Sequence, residues 1–188
     1  MQVLKDEIRN GIMQSALEEF YLYGYDKTSM NAIAKRCGIS KSNLYNYFPS
    51  KEYLYDAIME PAMTKLRKVA YSLTDKEILR YSKEERPQLM TSMLQPLLVE
   101  YRKQIVVLLQ TGRKEKDTAF IAEITEVLVQ CFFTFDEHKM PKKFAYVLTH
   151  MLMEGIVKII SETSDEKEIS QQISALFRYH VYGASGLA

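Results

Sequence analysis

Two cysteines, Cys37 and Cys131, are all the thiol chemistry this chain holds, and they stand far apart with no paired spacing. Neither a disulfide framework nor a zinc site follows from such a pair, and each reads as a small buried hydrophobe. Histidine is nearly as scarce. His138, His150 and His180 are scattered, and no two metal-ligating side chains recur at helical spacing. None of the seven glycines builds a phosphate-cradling loop or a nucleophile elbow. The chain is therefore read as not an enzyme, without a cofactor or metal. No uninterrupted apolar run reaches the roughly 18 residues that cross a bilayer, and the opening Met-Gln-Val-Leu-Lys-Asp-Glu has no apolar signal core. The expectation is a cytoplasmic protein with no membrane partner. A net charge of +1, from 25 basic and 24 acidic residues, excludes a generally polycationic binder, so any contact with a polyanion must be a local patch.

One local patch is present. Between Lys27 and Lys51 stand five basic residues (Lys27, Lys35, Arg36, Lys41 and Lys51) and no acid, as a surface laid against phosphates requires. The same stretch reads as two short helices and a tight turn. Thr28 and Ser29 are N-cap candidates for the first helix, with Ile33 and Ala34 inward. Cys37-Gly38-Ile39 ends it, because Gly38 can take the positive φ of a sharp turn. Ser40 is placed to cap a second helix, Lys41 to about Tyr47. Leu44 and Phe48 share its inner side, and Lys41, Ser42, Asn43, Tyr45, Asn46 and Tyr47 face largely elsewhere. A short helix, a glycine turn and a second helix with a polar outer face is the layout of a DNA-reading helix-turn-helix. In this reading Lys41, Ser42, Asn43, Tyr45 and Asn46 lie in or at the major groove, Thr28, Tyr47 and Lys51 hold phosphates, and the N-cap hydroxyls of Thr28 and Ser29 orient backbone amides toward them. Asn43 or Asn46 would address adenine, and Lys41 guanine.

The rest of the chain is helical in pattern. Residues 3–23 carry Ile8, Ile12, Ala16 and Phe20 at i+4, with Gly24 as the terminating glycine. Ser50 caps a helix through Leu54 and Ile58, where Pro61 predicts a kink or break and a candidate hinge. A charged stretch from Thr74 to Arg86 leads to Pro87 at a helix start. The apolar run Ile105–Leu109 predicts a buried helix ended by Gly112, with a solvated connection over 113–117. Further helices are expected over 118–133, 144–162 and from Ser164-Asp165 onward, separated by a charged loop over 136–143, with a frayed tail from Gly183. Gly155 in mid-helix costs about 1 kcal/mol against alanine and implies the close approach of another helix. Ten methionines, thirteen tyrosines and eight phenylalanines are ordinarily core, yet they also suit an adaptable cavity for an apolar or aromatic small molecule. Its candidate lining is Met90, Met93, Tyr101, Phe132, Tyr146, His150 and Met151.

The ordered set Ile8, Ala16, Phe20, Gly24-Tyr25, Thr28-Ser29, Ile33-Ala34, Cys37-Gly38-Ile39-Ser40, Leu44-Tyr45-Asn46-Tyr47-Phe48 and Lys51-Glu52 resembles the TetR/AcrR family of bacterial transcriptional regulators. The family commonly has alanine where Cys37 stands. The resemblance covers the first quarter to third of the chain and implies an all-α protein: a three-helix helix-turn-helix DNA-binding head over residues 1–50 and a helical effector-binding and dimerisation body over 51–188. It implies a homodimer through the last two helices, a palindromic double-stranded DNA operator with half-sites about 34–36 Å apart, and a small-molecule effector whose binding alters the spacing of the two heads and releases a repressor. A helical sensor without effector-regulated DNA binding and an all-helical enzyme are the alternatives.

Overall fold

The computed structural model describes residues 2–82, 84–111, 115–135 and 141–185, and every regular element among them is helical. Nine α-helices follow in chain order: α1 (Gln2–Lys27), α2 (Met30–Cys37), α3 (Lys41–Tyr47), α4 (Lys51–Leu73), α5 (Arg86–Glu100), α6 (Arg102–Val106), α7 (Glu115–Phe135), α8 (Lys142–Glu162) and α9 (Glu166–Ser185). A 3-10 turn spans Lys76–Arg80, and α6 continues as a π-helical turn over Val107–Thr111. The chain divides into two compact units, residues 1–63 with 103–113, and residues 64–102 with 114–188.

In the first unit, α1 keeps regular geometry up to Gly24, whose φ of 77° and ψ of 163° kink it before its last residues. That backbone region is open essentially to glycine alone. Ile12, Ala16 and Phe20 are fully buried, as their i+4 spacing predicts. Buried with them in the same unit are Ile33 and Ala34 of α2, Leu44 of α3, Phe48, and Leu54, Tyr55 and Ile58 of α4. Three rings lock the corner where the α1 kink meets α4. Phe20, Tyr25 and Tyr55 have centroids 4.9 to 5.7 Å apart, two of the three pairs edge-to-face. The apolar run Ile105–Leu108 is buried in this same unit, packed on α1 through the π turn. Lys103 pairs with Glu18 of α1.

In the second unit α9 packs on both α5 and α8, and α7 packs on α8. The close approach demanded by Gly155 is made by α9: a Cβ at that position would sit 3.0 Å from Leu176 Cδ2. Asp165 caps α9, its carboxylate accepting the Glu168 N–H at 2.8 Å. Arg67 grips Glu123 with two bonds of 2.8 and 3.0 Å, and Lys65 sits 2.9 Å from both oxygens of Glu100. The Arg67 guanidinium and, in the other pair, the Lys65 ammonium hold these two carboxyls below the usual carboxylate range.

Several expectations change. α4 runs unbroken through Pro61, which stands on its exposed side; the missing N–H and the ring are accommodated where water can reach the freed carbonyl. Residues 115–117 are the first turn of α7 and not a solvated connection, and Asp117 is buried. Lys142 and Lys143 open α8, and α9 holds helical geometry to Ser185. Gly112, His138 and the last three residues lie outside the described residues. α8 has the length and mean composition of a membrane-crossing helix. Glu154 and Lys158 interrupt its apolar run, and its buried face packs on α7 and α9.

Candidate nucleic-acid interface

The two short helices of the first unit are set by their caps. Ser29 Oγ accepts the Ala32 N–H at 3.1 Å and starts α2. Gly38, at φ 73° and ψ 25°, ends it: its N–H reaches the Lys35 carbonyl at 3.2 Å, and the Ile39 N–H reaches that of Ala34 at 3.1 Å. This is the left-handed termination for which glycine is suited. Ser40 Oγ then accepts the Asn43 N–H at 3.1 Å and starts α3. Ser50 does the same for α4 through the Tyr53 N–H at 3.0 Å.

Leu44 and Phe48 are fully buried, and this fixes the roll of α3. Lys41, Ser42, Tyr45 and Asn46 are left exposed on one outer face, flanked by half-buried Asn43 and Tyr47. Tyr45 is 40% exposed, and Lys41 Nζ stands 5.8 Å above its ring, so the two form one cationic, aromatic projection.

The cations divide into two groups. Lys27, Lys35 and Lys41 are exposed. Arg36 Nε donates at 2.6 Å to Glu19, a buried carboxylate of α1, and this hydrogen bond raises the arginine pKa above its ordinary value. Arg36 thereby ties α2 to α1. Lys51 is also turned inward. Its ammonium donates to the Tyr25 carbonyl at 2.8 Å and the Thr28 carbonyl at 2.9 Å, 4.2 Å from the Tyr25 ring. Two of its three protons close the loop between α1 and α2, so Lys51 acts as a structural latch. Thr28 is 3% exposed, and its hydroxyl donates to the Gly24 carbonyl at 2.8 Å and the Glu19 carbonyl at 3.1 Å. Ser29 keeps an exposed hydroxyl beside its cap bond.

Sequence reasoning missed Arg9. It is exposed on α1, and its guanidinium lies 5.2 Å over the ring of Phe48, at the end of α3. No local pattern announces it, because the pairing joins residues 39 apart.

The residues expected to line a cavity in the second unit are dispersed. Met90 is buried and Met93 half-buried on α5. Tyr101 lies under the Lys65 ammonium, 4.8 Å from its ring centre, and Tyr146 donates its hydroxyl to Glu126. Phe132 lies outside the described side chains. His150 and Met151 are exposed, opposite the buried Ala145, Thr149 and Leu152 of α8, and so do not line an interior. Met151 continues an exposed apolar stripe begun by Phe144 and Val147, and α9 exposes Tyr179 and Tyr182.

Residues 12–58 match the model of bacterial regulatory proteins, tetR family. A 51-residue stretch is 43% identical to the HTH-type transcriptional regulator RutR of Escherichia coli (strain K12), covering 27% of this chain and 24% of that protein. The match thus spans about a quarter of that curated relative's length. Over the whole fold, a TetR-family transcriptional regulator from Bordetella parapertussis 12822 superposes with a TM-score of 0.69 at 22% identity, covering 90% of this chain and 93% of that one. The regulator FadR from Bacillus subtilis, solved in complex with stearoyl-CoA, does so with a TM-score of 0.61 at 17% identity, over 92% and 97%. At these identities the structures show a shared fold.

Proposed function

Since the chain is a TetR-family protein by its amino-terminal domain and its fold, we propose that it is a ligand-responsive transcriptional regulator, a cytoplasmic repressor that binds palindromic DNA as a homodimer. The observation that carries this reading is the outer face of α3, where Lys41, Ser42, Tyr45 and Asn46 stand exposed on a stretch without acids. In this reading residues 1–50 bind DNA and residues 51–188 bind the effector and dimerise. Lys41, Ser42, Asn43, Tyr45 and Asn46 meet the base edges, with an asparagine on adenine and Lys41 on guanine. Ser29, Tyr47, Lys27, Lys35 and Arg9 meet the phosphates.

One seven-residue helix makes few base contacts, so selective binding calls for two copies a helical turn apart. The exposed stripes of α8 (Phe144, Val147, Met151) and α9 (Tyr179, Tyr182) supply a surface for a second copy of the chain. The effector is a small molecule held in the body, with Met90 and Met93 as its apolar contacts, and its binding releases the DNA.

The test is selection of bound DNA from a random pool at moderate salt by the purified protein. Enrichment of a palindrome with half-sites about one turn apart is the expected result. A dimer that enriches no sequence would overturn the regulator reading.

A further inference from the structure

α3 carries two asparagines, and the roll of the helix treats them differently. Leu44 is fully buried and Tyr47 half-buried, and together they mark the inward direction. Successive residues of a helix turn by about 100°, so Ser42 and Asn46, two residues to either side of Leu44, each stand roughly 160° away from it. By the same count Asn43 lies about 40° from Tyr47, and it is half-buried where Asn46 is exposed. The outermost line of α3 is therefore Ser42 and Asn46, one turn apart, with Tyr45 beside them.

Several polar side chains of residues 28–51 are committed within the fold. Ser29, Ser40 and Ser50 accept at helix starts, Thr28 and Lys51 bond carbonyls, and Arg36 bonds Glu19. Lys41 stands over the Tyr45 ring. Among the described residues, none bonds the Asn46 amide, which keeps its N–H₂ and its carbonyl for an outside partner.

An amide offers a donor and an acceptor side by side. In the major groove adenine presents the matching pair on one base, N7 to accept and N6–H₂ to donate, whereas guanine presents two acceptors. The seven residues of α3 make a helix roughly 10 Å long. The groove is about 12 Å wide, so it admits Asn46 near the end of α3 together with Ser42 near its start.

We propose that Asn46, and not Asn43, reads adenine in each half-site, its carbonyl accepting from N6 and its N–H₂ donating to N7. This deepens the regulator reading and rests on it. It names the side chain and the base through which the outer face of α3 selects its sequence.

The experiment starts from the DNA selected by the parent protein. The adenines of one half-site are replaced in turn by 7-deazaadenine, which loses the N7 acceptor and keeps the N6 donor and normal pairing. Affinity for every duplex is measured with the full chain, with Asn46→Ala and with Asn43→Ala. At one adenine the replacement should weaken binding by the parent about fivefold, the worth of one neutral hydrogen bond. Asn43→Ala should be weakened by the same factor, and Asn46→Ala should not respond, because the bond to N7 is already gone. The assignment is overturned by an Asn46→Ala protein as sensitive as the parent at every adenine, by a loss of sensitivity in Asn43→Ala instead, or by a selected half-site without adenine. A parent that tolerates 7-deazaadenine at every position overturns it as well, whether or not a variant folds. Selected DNA without coupling to Asn46 leaves the regulator reading standing; a dimer that selects no sequence sinks that reading and this one together.

Discussion

The two units solve the same packing problem in different ways. In the first, helix ends and bends are set by local chemistry: Ser29, Ser40 and Ser50 start α2, α3 and α4, Gly38 terminates α2, and Gly24 kinks α1. Buried polar groups there are matched across elements, Glu19 with Arg36, Thr28 with two carbonyls, and Lys51 with two more. In the second, four helices of 15 to 21 residues are held mainly along their lengths, and among the described residues two buried polar atoms stay unmatched.

Thiol chemistry gives the widest expected gap. Burial pushes the Cys131 thiol up to about 12, whereas Cys37 in the first unit is half-buried. Against an ordinary thiol near 8.5, Cys131 holds on the order of 10³-fold less thiolate at pH 8. Iodoacetamide labelling read by mass spectrometry should modify Cys37 and spare Cys131 in the folded protein. Equal rates at the two sites would mean that the second unit opens readily.

Next comes the core of the first unit. Leu44→Ala removes a fully buried side chain and should cost about 2–5 kcal/mol in urea unfolding. Asn46→Ala, one exposed face away, should stay within about 0.5 kcal/mol of the parent. The order reverses on DNA. Asn46→Ala should lose about 1–3 kcal/mol of discrimination between the selected sequence and a scrambled one. An equal loss on both sequences would reassign that side chain from bases to backbone.

The cations give a smaller effect with a distinctive signature. Arg9→Gln should reduce the slope of log affinity against log salt by about 0.9 with stability unchanged. Lys51→Met should leave the slope alone and lower stability, because its ammonium serves two carbonyls. A slope change for Lys51 alone would restore the phosphate role that its inward bonds argue against.

The smallest effect concerns Glu123, half-buried against Arg67. Its carboxyl is held low by the guanidinium, so the folded form binds its proton less readily than the unfolded one. The stabilisation is complete above the unfolded pKa near 4.3 and fades as pH falls through the lower folded value. At this exposure it is worth at most about 1 kcal/mol. The stability gap between the parent and Glu123→Gln should be flat above about pH 5 and shrink below it.

Sequence alone determined the elements of the first unit, because their causes are local. A serine before a helix, a glycine after it and an i+4 apolar pair act within one or two turns, and the outer face of α3 follows from Leu44 and Phe48 facing inward. The order of helices in the second unit was legible for the same reason, through apolar periodicity and Pro87, Gly155 and Asp165. Only tertiary structure decided how the polar side chains are used. Lys51 and Arg36 read alike as members of one basic patch until the carbonyls and the carboxylate that bond them are brought near from 17 to 26 residues away. His150 and His180 sit on equally apolar-looking helices. The rotation of each helix against its neighbours puts one in solvent and buries the other with its Nε2 unpartnered. A helix's own period states which residues share a face; what that face meets is fixed by packing, and the energy of a polar group depends on what it meets.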